Sequence, residues 1–223
     1  MHIIEHQSRS AALALLAPPR TARESELGAD ILIVPGLDNS GPRHWQSHWA
    51  MLAQSRRVEL GDWAHPRLHE WVPALDRAVR AADRPLVLVG HSLGCLAIAW
   101  WASLRWGRAF AGKMRGALLV APPDVDALDA TVRIRDFRPL PRLRLPFPSV
   151  LVASRNDPYA RFAWARDAAT AWGSDFVDAG ETGHINAESG LDEWPRGLRL
   201  LAELTGHNPN LLVAELGLRR ALA

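Results

Sequence analysis

The sequence predicts an α/β fold in which a mainly parallel sheet is covered by helices on both faces, giving a three-layer sandwich. Short aliphatic runs alternate with longer segments of helical periodicity, which is the pattern of consecutive βαβ units. Several of the runs are apolar throughout, as expected of parallel strands with both faces buried. The connections are short enough for right-handed crossovers in one doubly wound sheet, so a single domain accounts for the alternation.

Six strands are predicted from the aliphatic runs. In chain order they are Ile31–Val34, Val58–Leu60, Leu86–Gly90, Gly116–Ala121, Val150–Ser154 and Asp175–Asp178. Apolar residues at helical spacing predict the helices between them, which are Trp45–Leu52, Leu68–Ala82, Leu93–Trp106, Arg161–Trp172 and Trp194–Leu204. Residues 122–148 are too interrupted by proline to form a long helix, so we predict an irregular loop there.

The alternating pattern confines the predicted domain to residues 30–204. Residues 1–29 carry no strong periodicity and are predicted to be an N-terminal extension. Residues 205–223 are predicted to be a C-terminal tail, in which Leu211–Leu222 has the spacing of a short amphipathic helix. We expect this helix to dock on the body of the domain or on a second copy of the chain, which leaves a homodimer open.

The composition excludes several classes of protein. Hydrophobic residues make up 48% and charged residues 22% of the 223 residues, which excludes a disordered chain and a coiled coil. The net charge of +2 is too small to indicate a nucleic-acid partner. No apolar run reaches the roughly 18 residues of a membrane span, so no membrane partner is predicted. The one cysteine, Cys95, allows no internal disulfide, which is typical of a reducing compartment, and we expect a cytoplasmic location.

The strongest motif is a serine on a predicted strand-to-helix turn. Gly90-His91-Ser92-Leu93-Gly94 follows a buried-strand sequence and opens a helical one. A serine in such a G-x-S-x-G turn has a strained backbone that exposes its Oγ above the sheet. Glycines flank it because strand and helix approach too closely for a Cβ, and the helix N-terminus favours negative charge that develops at the site. Ser92 is therefore the candidate nucleophile.

A serine nucleophile needs a general base and an acid that orients the base. On a parallel sheet both should follow later strands, at the carboxyl ends where catalytic groups collect. Asp157 follows the run Val150–Ser154, and His184 lies in the loop after Asp175–Asp178. We predict that Asp157 is the acid and His184 the base.

Alternatives for both roles stay open at this point. Asp124 follows the fourth predicted strand and Asp178 ends the sixth, so both are rival acids. His91 is too close to Ser92 in the chain to face its Oγ, and we expect it to be a packed, neutral histidine. The remaining rival bases, His2, His6 and His207, lie outside the core pattern.

Two backbone N–H groups, those of Leu37 and Leu93, are predicted to form an oxyanion hole. Leu93 follows the nucleophile, and Leu37 lies in the loop after the first strand. One such donor typically contributes about 3–4 kcal/mol of transition-state stabilisation. A carboxylate about 5 Å from the oxyanion would oppose it by about 3 kcal/mol at an effective dielectric of about 20. We therefore expect Asp38 to point away or to pair with a cation such as Arg43.

This chemistry needs no metal and no other cofactor, and none is predicted. Two histidine pairs, His44 with His48 and His65 with His69, have the i,i+4 spacing of metal ligands on a helix. Neither pair encloses the glutamate of a zinc-protease motif.

Several stretches of the chain resemble a known family, the small serine hydrolases of the α/β-hydrolase fold that are named after retinoblastoma-binding protein 9. The matching stretches are Val34–Leu37, Ser40–Pro42 with His44–Gln46, Gly90–Gly94, Leu145–Ser149, Ala153–Tyr159 and Gly183–Asn186. The resemblance covers about residues 30–204 and implies a six-stranded parallel core with no large cap domain. It also implies Ser92, Asp157 and His184 as a catalytic triad with an esterase-like activity.

From these residues we predict a carboxylesterase-like serine hydrolase that cleaves small carboxylic esters or related acyl compounds through an acyl-enzyme. Its partner would be a small-molecule acyl substrate, and the missing cap predicts an open pocket that prefers short acyl chains. Two alternatives stand beside this prediction. One is a low-turnover interaction module that keeps the fold, and the other is an acyltransferase with the same triad.

Overall fold

The computed structural model describes residues 29–105, 107–127, 130–206 and 208–221. Within these residues, six strands form one sheet in the order β2-β1-β3-β4-β5-β6, and every neighbouring pair is parallel. The strands are β1 Asp30–Val34, β2 Ser55–Arg57, β3 Leu86–His91, β4 Met114–Val120, β5 Ser149–Ala153 and β6 Asp175–Asp178. The predicted α/β class is confirmed. The extension predicted at residues 1–29 lies outside the described residues, except for Ala29.

Helices cover both faces of the sheet. They are α1 Trp45–Trp49, α2 Leu68–Arg80, α3 Leu93–Arg105, α4 Arg108–Ala111, α5 Phe162–Trp172, α6 Pro195–Thr205 and α7 Pro209–Ala221. On one face α2, α3 and α5 bury Trp71, Trp101 and Trp172 against the strands. On the other face α1 and α6 bury Trp45 and Trp49. Each of these large rings removes about 150–250 Å² from water, which binds the helices to the sheet and gives the three predicted layers.

The second strand differs from the prediction. We expected it at Val58–Leu60, but the residues that pair with β1 are Ser55–Arg57. β2 lies at the edge of the sheet and is only partly buried, which allows polar side chains there. Val58 and Leu60 follow it and turn into the core. In this segment the hydrophobic pattern therefore identifies the residues that are buried, which follow the strand, and not the residues that form the strand.

The proline-rich segment 122–148 contains one short regular element, the 3₁₀ helix Val132–Phe137. Phe137 is fully buried and packs edge-to-face on Trp71 of α2, with ring centroids 5.5 Å apart. In the described residues of this segment no cap domain is present.

The helix of the C-terminal tail docks on the body of the domain, which was the first of the two expectations for it. Leu212 of α7 is buried in the core beneath α6. The Glu215 carboxylate accepts a hydrogen bond of 2.7 Å from the backbone N–H of Ala53. Among the described residues, no helix is long and apolar enough to cross a membrane.

Candidate active site

Ser92 occupies a strained turn between β3 and α3. Its φ is +53°, which is uncommon for a residue with a side chain. Its backbone N–H donates to the carbonyl of Val120 at the end of β4, at 2.9 Å, so the turn is fixed to the neighbouring strand. A Cβ at Gly94 would overlap the carbonyl oxygen of Val34, and one at Gly90 would lie 2.8 Å from the Ile98 side chain. The glycines thus permit the close approach that the motif predicts.

The structure brings together the three side chains that the sequence assigns to the triad. His184 Nε2 lies 2.9 Å from Ser92 Oγ, and His184 Nδ1 lies 3.0 Å from each carboxylate oxygen of Asp157. Only 8% of the His184 side chain and 4% of the Asp157 side chain are exposed. Because a carboxylate only accepts, it fixes the imidazole proton on Nδ1 and leaves the Nε2 lone pair facing the serine hydroxyl. This is the arrangement of a general base on a nucleophile.

Neither rival acid contacts the imidazole within the described residues. Asp124 is buried, accepts from the backbone N–H of Asp126 at 3.1 Å, and has a pKa raised by its burial. Asp178 accepts from Arg155 at 2.6 Å, and this bond lowers its pKa. Both carboxylates therefore stabilise turns at the carboxyl ends of their strands. Of the three candidate acids, Asp157 is the one that pairs with His184.

His91, the rival base inside the elbow, is a packed histidine as expected. It is 5% exposed, and burial lowers its pKa well below the ordinary value, so the ring is neutral. Its Nε2 lies 3.0 Å from the backbone carbonyl of His184 and not against Ser92 Oγ. The other rivals, His2, His6 and His207, lie outside the described residues.

The two N–H groups predicted for the oxyanion hole flank the elbow. Leu93 is the first residue of α3, where the N–H has no acceptor within the helix. In the described part of the chain, the N–H of Leu37 also has no acceptor. A Cβ on the neighbouring Gly36 would lie 2.8 Å from Ser92 Cβ and 3.0 Å from the Leu93 nitrogen. The loop after β1 therefore lies directly against the nucleophile's turn.

Asp38 pairs with a cation, but the expected partner, Arg43, was wrong. Its carboxylate accepts two hydrogen bonds from the guanidinium of Arg133, one of them at 3.0 Å from Nη1. Arg133 Nε also donates to the carbonyl of Ala64 at 2.8 Å. The backbone N–H of Asp38 donates to the carbonyl of Trp63 at 2.9 Å. The pairing joins the loop after β1 to the 3₁₀ helix of the proline-rich segment.

Sequence reasoning missed two side chains that hold the loop after β1. The amide nitrogen of Gln46 donates to the carbonyls of Val34 at 3.3 Å and Val89 at 3.0 Å, and its oxygen accepts from Ser40 Oγ at 2.7 Å. Arg57 donates to the carbonyl of Ser40 at 3.0 Å. One feature of the sequence points to Gln46: it is a polar residue next to Trp45 and Trp49, which predict an apolar helix face.

Two of the four candidate metal ligands, His44 and His65, each have a ring nitrogen with another partner. His44 Nδ1 accepts from the Gln46 backbone N–H at 3.1 Å, and burial lowers its pKa to about 3. His65 Nδ1 lies 3.3 Å from the Asp62 carboxylate at the surface. No group of three or more potential ligands occurs among the residues that the structure describes.

A cleft of about 540 Å³ opens beside the imidazole of His184. Its lining includes Asn156 and Tyr159 after β5 and Glu181 and Asn186 after β6. Tyr159 is 59% exposed, and its ring packs edge-to-face on His184 with centroids 4.6 Å apart. The cleft is thus a polar space with an aromatic wall next to the base.

Comparisons with known proteins give matches to a family model and to solved structures. A family model described as serine hydrolase matches residues 31–203. No curated protein matches the chain. Among solved structures, the chain is similar to a YdeN-like hydrolase from Pectobacterium atrosepticum, with 34% sequence identity and a TM-score of 0.69 over 83% of this chain and 92% of that one.

Two further structures share the fold at lower identity. The ydeN gene product of Bacillus subtilis is 21% identical, with a TM-score of 0.68 over 79% of this chain and 98% of that one. The type II thioesterase BorB from the borrelidin biosynthetic cluster is 18% identical, with a TM-score of 0.57 over 81% of this chain and 92% of that one. The predicted α/β-hydrolase fold is therefore confirmed.

Proposed function

We propose that this chain, which belongs to the serine hydrolase family, cleaves small carboxylic esters or related acyl compounds through an acyl-enzyme. The observation that carries the proposal is the buried row of hydrogen bonds from Asp157 to His184 and on to Ser92 Oγ. A hydroxyl in this position can lose its proton to Nε2 as it attacks, and the carboxylate stabilises the imidazolium that forms.

In the proposed reaction Ser92 Oγ attacks the acyl carbon while His184 Nε2 takes the hydroxyl proton. The N–H groups of Leu37 and Leu93 stabilise the oxyanion of the tetrahedral intermediate. His184 then gives the proton to the leaving alkoxide, which departs as the alcohol and leaves the acyl group on Ser92. Water then attacks the acyl carbon while His184 Nε2 takes its proton. The acyl–serine bond breaks, His184 returns the proton to Ser92 Oγ, and the carboxylic acid is released.

The surroundings of the triad favour small substrates. The described part of residues 122–148 contributes a short 3₁₀ helix in place of a cap domain, and the cleft beside His184 has room for a leaving group of modest size. We therefore propose residues 30–204 as a hydrolase domain that prefers short acyl chains. The stretches that resemble the family named after retinoblastoma-binding protein 9 support the same three roles.

Labelling with a fluorophosphonate probe tests the proposal. Wild type and the control Ser55→Ala, which changes a serine of the edge strand, should react with the probe. Ser92→Ala and His184→Ala should lose the reaction, because removing a triad member commonly lowers kcat by about 10⁴–10⁶-fold. Equal weak labelling of all four proteins would favour an interaction module.

The same proteins, assayed on a series of p-nitrophenyl esters, define the substrate class. Ser92-dependent turnover should be greatest for short acyl chains, and a steady rise toward long chains would contradict the proposed preference. Product analysis with an added alcohol separates hydrolysis from transfer of the acyl group to another acceptor.

A further inference from the structure

Two buried side chains donate hydrogen bonds to the backbone of the loop that carries His184. We name residues 179–190 the base loop. The carbonyl of His184 lies 3.0 Å from Nε2 of His91, and the carbonyl of Ile185 accepts from Nε1 of Trp45 at 2.8 Å. His91 directly precedes the nucleophile Ser92, and Trp45 is the first residue of α1. Two consecutive peptide groups of the base loop are thereby tied to the elements on the nucleophile's side of the site.

The residue between these two peptide groups is strained. Ile185 has a φ of +49°, which is a rare conformation for a β-branched side chain. Its side chain is fully buried beneath the site. Strained backbone of this kind persists when the surrounding structure over-determines it. The hydrogen bonds from His91 and Trp45 fix the peptide groups on both sides of Ile185 and so supply that constraint.

The neutral ring of His91 has one N–H, and it donates this N–H to the carbonyl of His184. A carbonyl oxygen only accepts, so the single imidazole proton of His91 lies on Nε2. The ring packs edge-to-face on His44, with centroids 4.6 Å apart, and lies 4.9 Å from the ring of His184. His91 is therefore a rigid spacer between α1 and the base loop as well as a donor.

We infer that Trp45 and His91 are positioning residues that hold His184 Nε2 within proton-transfer distance of Ser92 Oγ. This inference rests on the proposed function. Proton transfer needs a heavy-atom separation of about 2.6–3.2 Å. The distance from His184 Nε2 to Ser92 Oγ is 2.9 Å, so a displacement of a few tenths of an ångström would exceed that range. Displacing a catalytic group by about 1 Å can cost about 100-fold in rate. Neither residue lines the cleft beside His184, so their loss should lower kcat and leave KM nearly unchanged.

Trp45→Phe tests the inference against a matched control, Trp49→Phe. Trp49 lies one turn further along α1, is equally buried, and donates its indole N–H to the carbonyl of Glu193 at 2.7 Å. Both variants lose one buried indole hydrogen bond and keep an aromatic ring, so both should lower Tm alike. We expect Trp45→Phe to lower kcat about tenfold or more with KM within about twofold, and Trp49→Phe to keep kcat near wild type. Equal kcat values for the two variants would overturn the role of Trp45.

A proton NMR measurement of the His184 Nδ1–H resonance makes the test independent of turnover. The hydrogen bond to Asp157 places this resonance far downfield, and it should shift or broaden in Trp45→Phe but not in Trp49→Phe. Failure of the proposed function has a different signature, which is the absence of Ser92-dependent ester turnover in wild type. An unchanged resonance in Trp45→Phe counts against the positioning role in either case.

Two substitutions of His91, one that keeps a hydrogen-bond donor and one that does not, test whether its N–H positions His184. A glutamine at position 91 keeps an amide N–H donor at a similar reach from the backbone, whereas leucine fills similar space without a donor. We expect His91→Gln to retain at least about fivefold more kcat than His91→Leu at comparable Tm. Equal loss of kcat in the two variants would show that His91 acts by packing alone.

Discussion

The two loops that meet at Ser92 differ in what secures the residues next to His184 and next to Leu37. The base loop is fixed by buried hydrogen bonds from Trp45 and His91 to its backbone. The loop after β1 also has buried hydrogen bonds, which join Gln46 to Val34 and Ser40. At Asp38, next to Leu37, however, it is tied to Arg133 by an ion pair whose side chains are 59% and 36% exposed. Buried donors are insensitive to salt and costly to remove, whereas an exposed ion pair is screened and contributes about 0–1 kcal/mol.

This difference matches what each loop has to do. In the proposed reaction the base loop holds a side chain that moves a proton over a short distance, so its orientation has to be fixed from several directions. The loop after β1 contributes only a backbone N–H to the proposed reaction, and the turn around Gly36 already lies close against the elbow. Substitutions on the base side should therefore have larger effects than substitutions on the oxyanion side, and only the latter should depend on salt.

The largest effect is expected at the acid of the triad. Asp157→Asn keeps the shape of the side chain but no longer fixes the proton of His184 on Nδ1, and kcat should fall about 10⁴-fold. Asp124→Asn is the matched control, because Asp124 is also buried but its carboxylate accepts from the backbone N–H of Asp126 in its own turn, and among the described residues it does not contact His184. Steady-state ester hydrolysis measures both. A comparable loss in the two variants would contradict the proposed role of Asp157 in orienting His184.

A second prediction concerns acid stability. Burial, with the nearby charge of Arg57, lowers the pKa of His44 to about 3, so below about pH 6.5 the unfolded chain binds a proton that the folded chain does not. The free energy of unfolding must then fall as the pH falls, and His44 should contribute a loss of about 2 kcal/mol between about pH 7 and about pH 5. Urea unfolding of wild type and His44→Gln at both pH values measures it.

The variant His44→Gln should show a smaller loss between the two pH values than wild type does, whatever its stability at neutral pH. His69→Gln is the control, since His69 is exposed on α2 with a side chain 77% accessible. If wild type and His44→Gln lost the same stability on acidification, His44 would not be held neutral in the folded chain.

The parts of the fold and site that local patterns determine were predictable from the sequence. The elbow around Ser92 depends on glycines and a strand-to-helix change within a few residues, and the order of Asp157 and His184 follows from the parallel topology. Edge strand β2 was misplaced because its residues, Ser55–Arg57, are polar and only partly covered. A hydrophobic pattern does not identify such a strand.

Side-chain pairings between distant segments could not be predicted. Asp38 and Arg133 are 95 residues apart, and Trp45 and Ile185 are 140 residues apart. Which donor reaches which acceptor depends on the angles at which helices and loops pack on the sheet, and no spacing in the sequence encodes those angles. The sequence therefore predicts the candidate catalytic residues, and the structure adds the contacts that surround them.

The smallest effect is expected at the exposed ion pair. Arg133→Gln should lower kcat/KM by no more than about fivefold at about 0.01 M salt, and the difference from wild type should shrink toward about 1 M salt, where the pair is screened. A double-mutant cycle with Asp38→Asn isolates the pairwise part of the effect. Arg80→Gln, which breaks an ion pair with Asp76 on α2, should leave kcat/KM unchanged. An effect of Arg133→Gln that is independent of salt would mean that its bond to the carbonyl of Ala64 holds the loop, and the two loops would then be secured by the same kind of force.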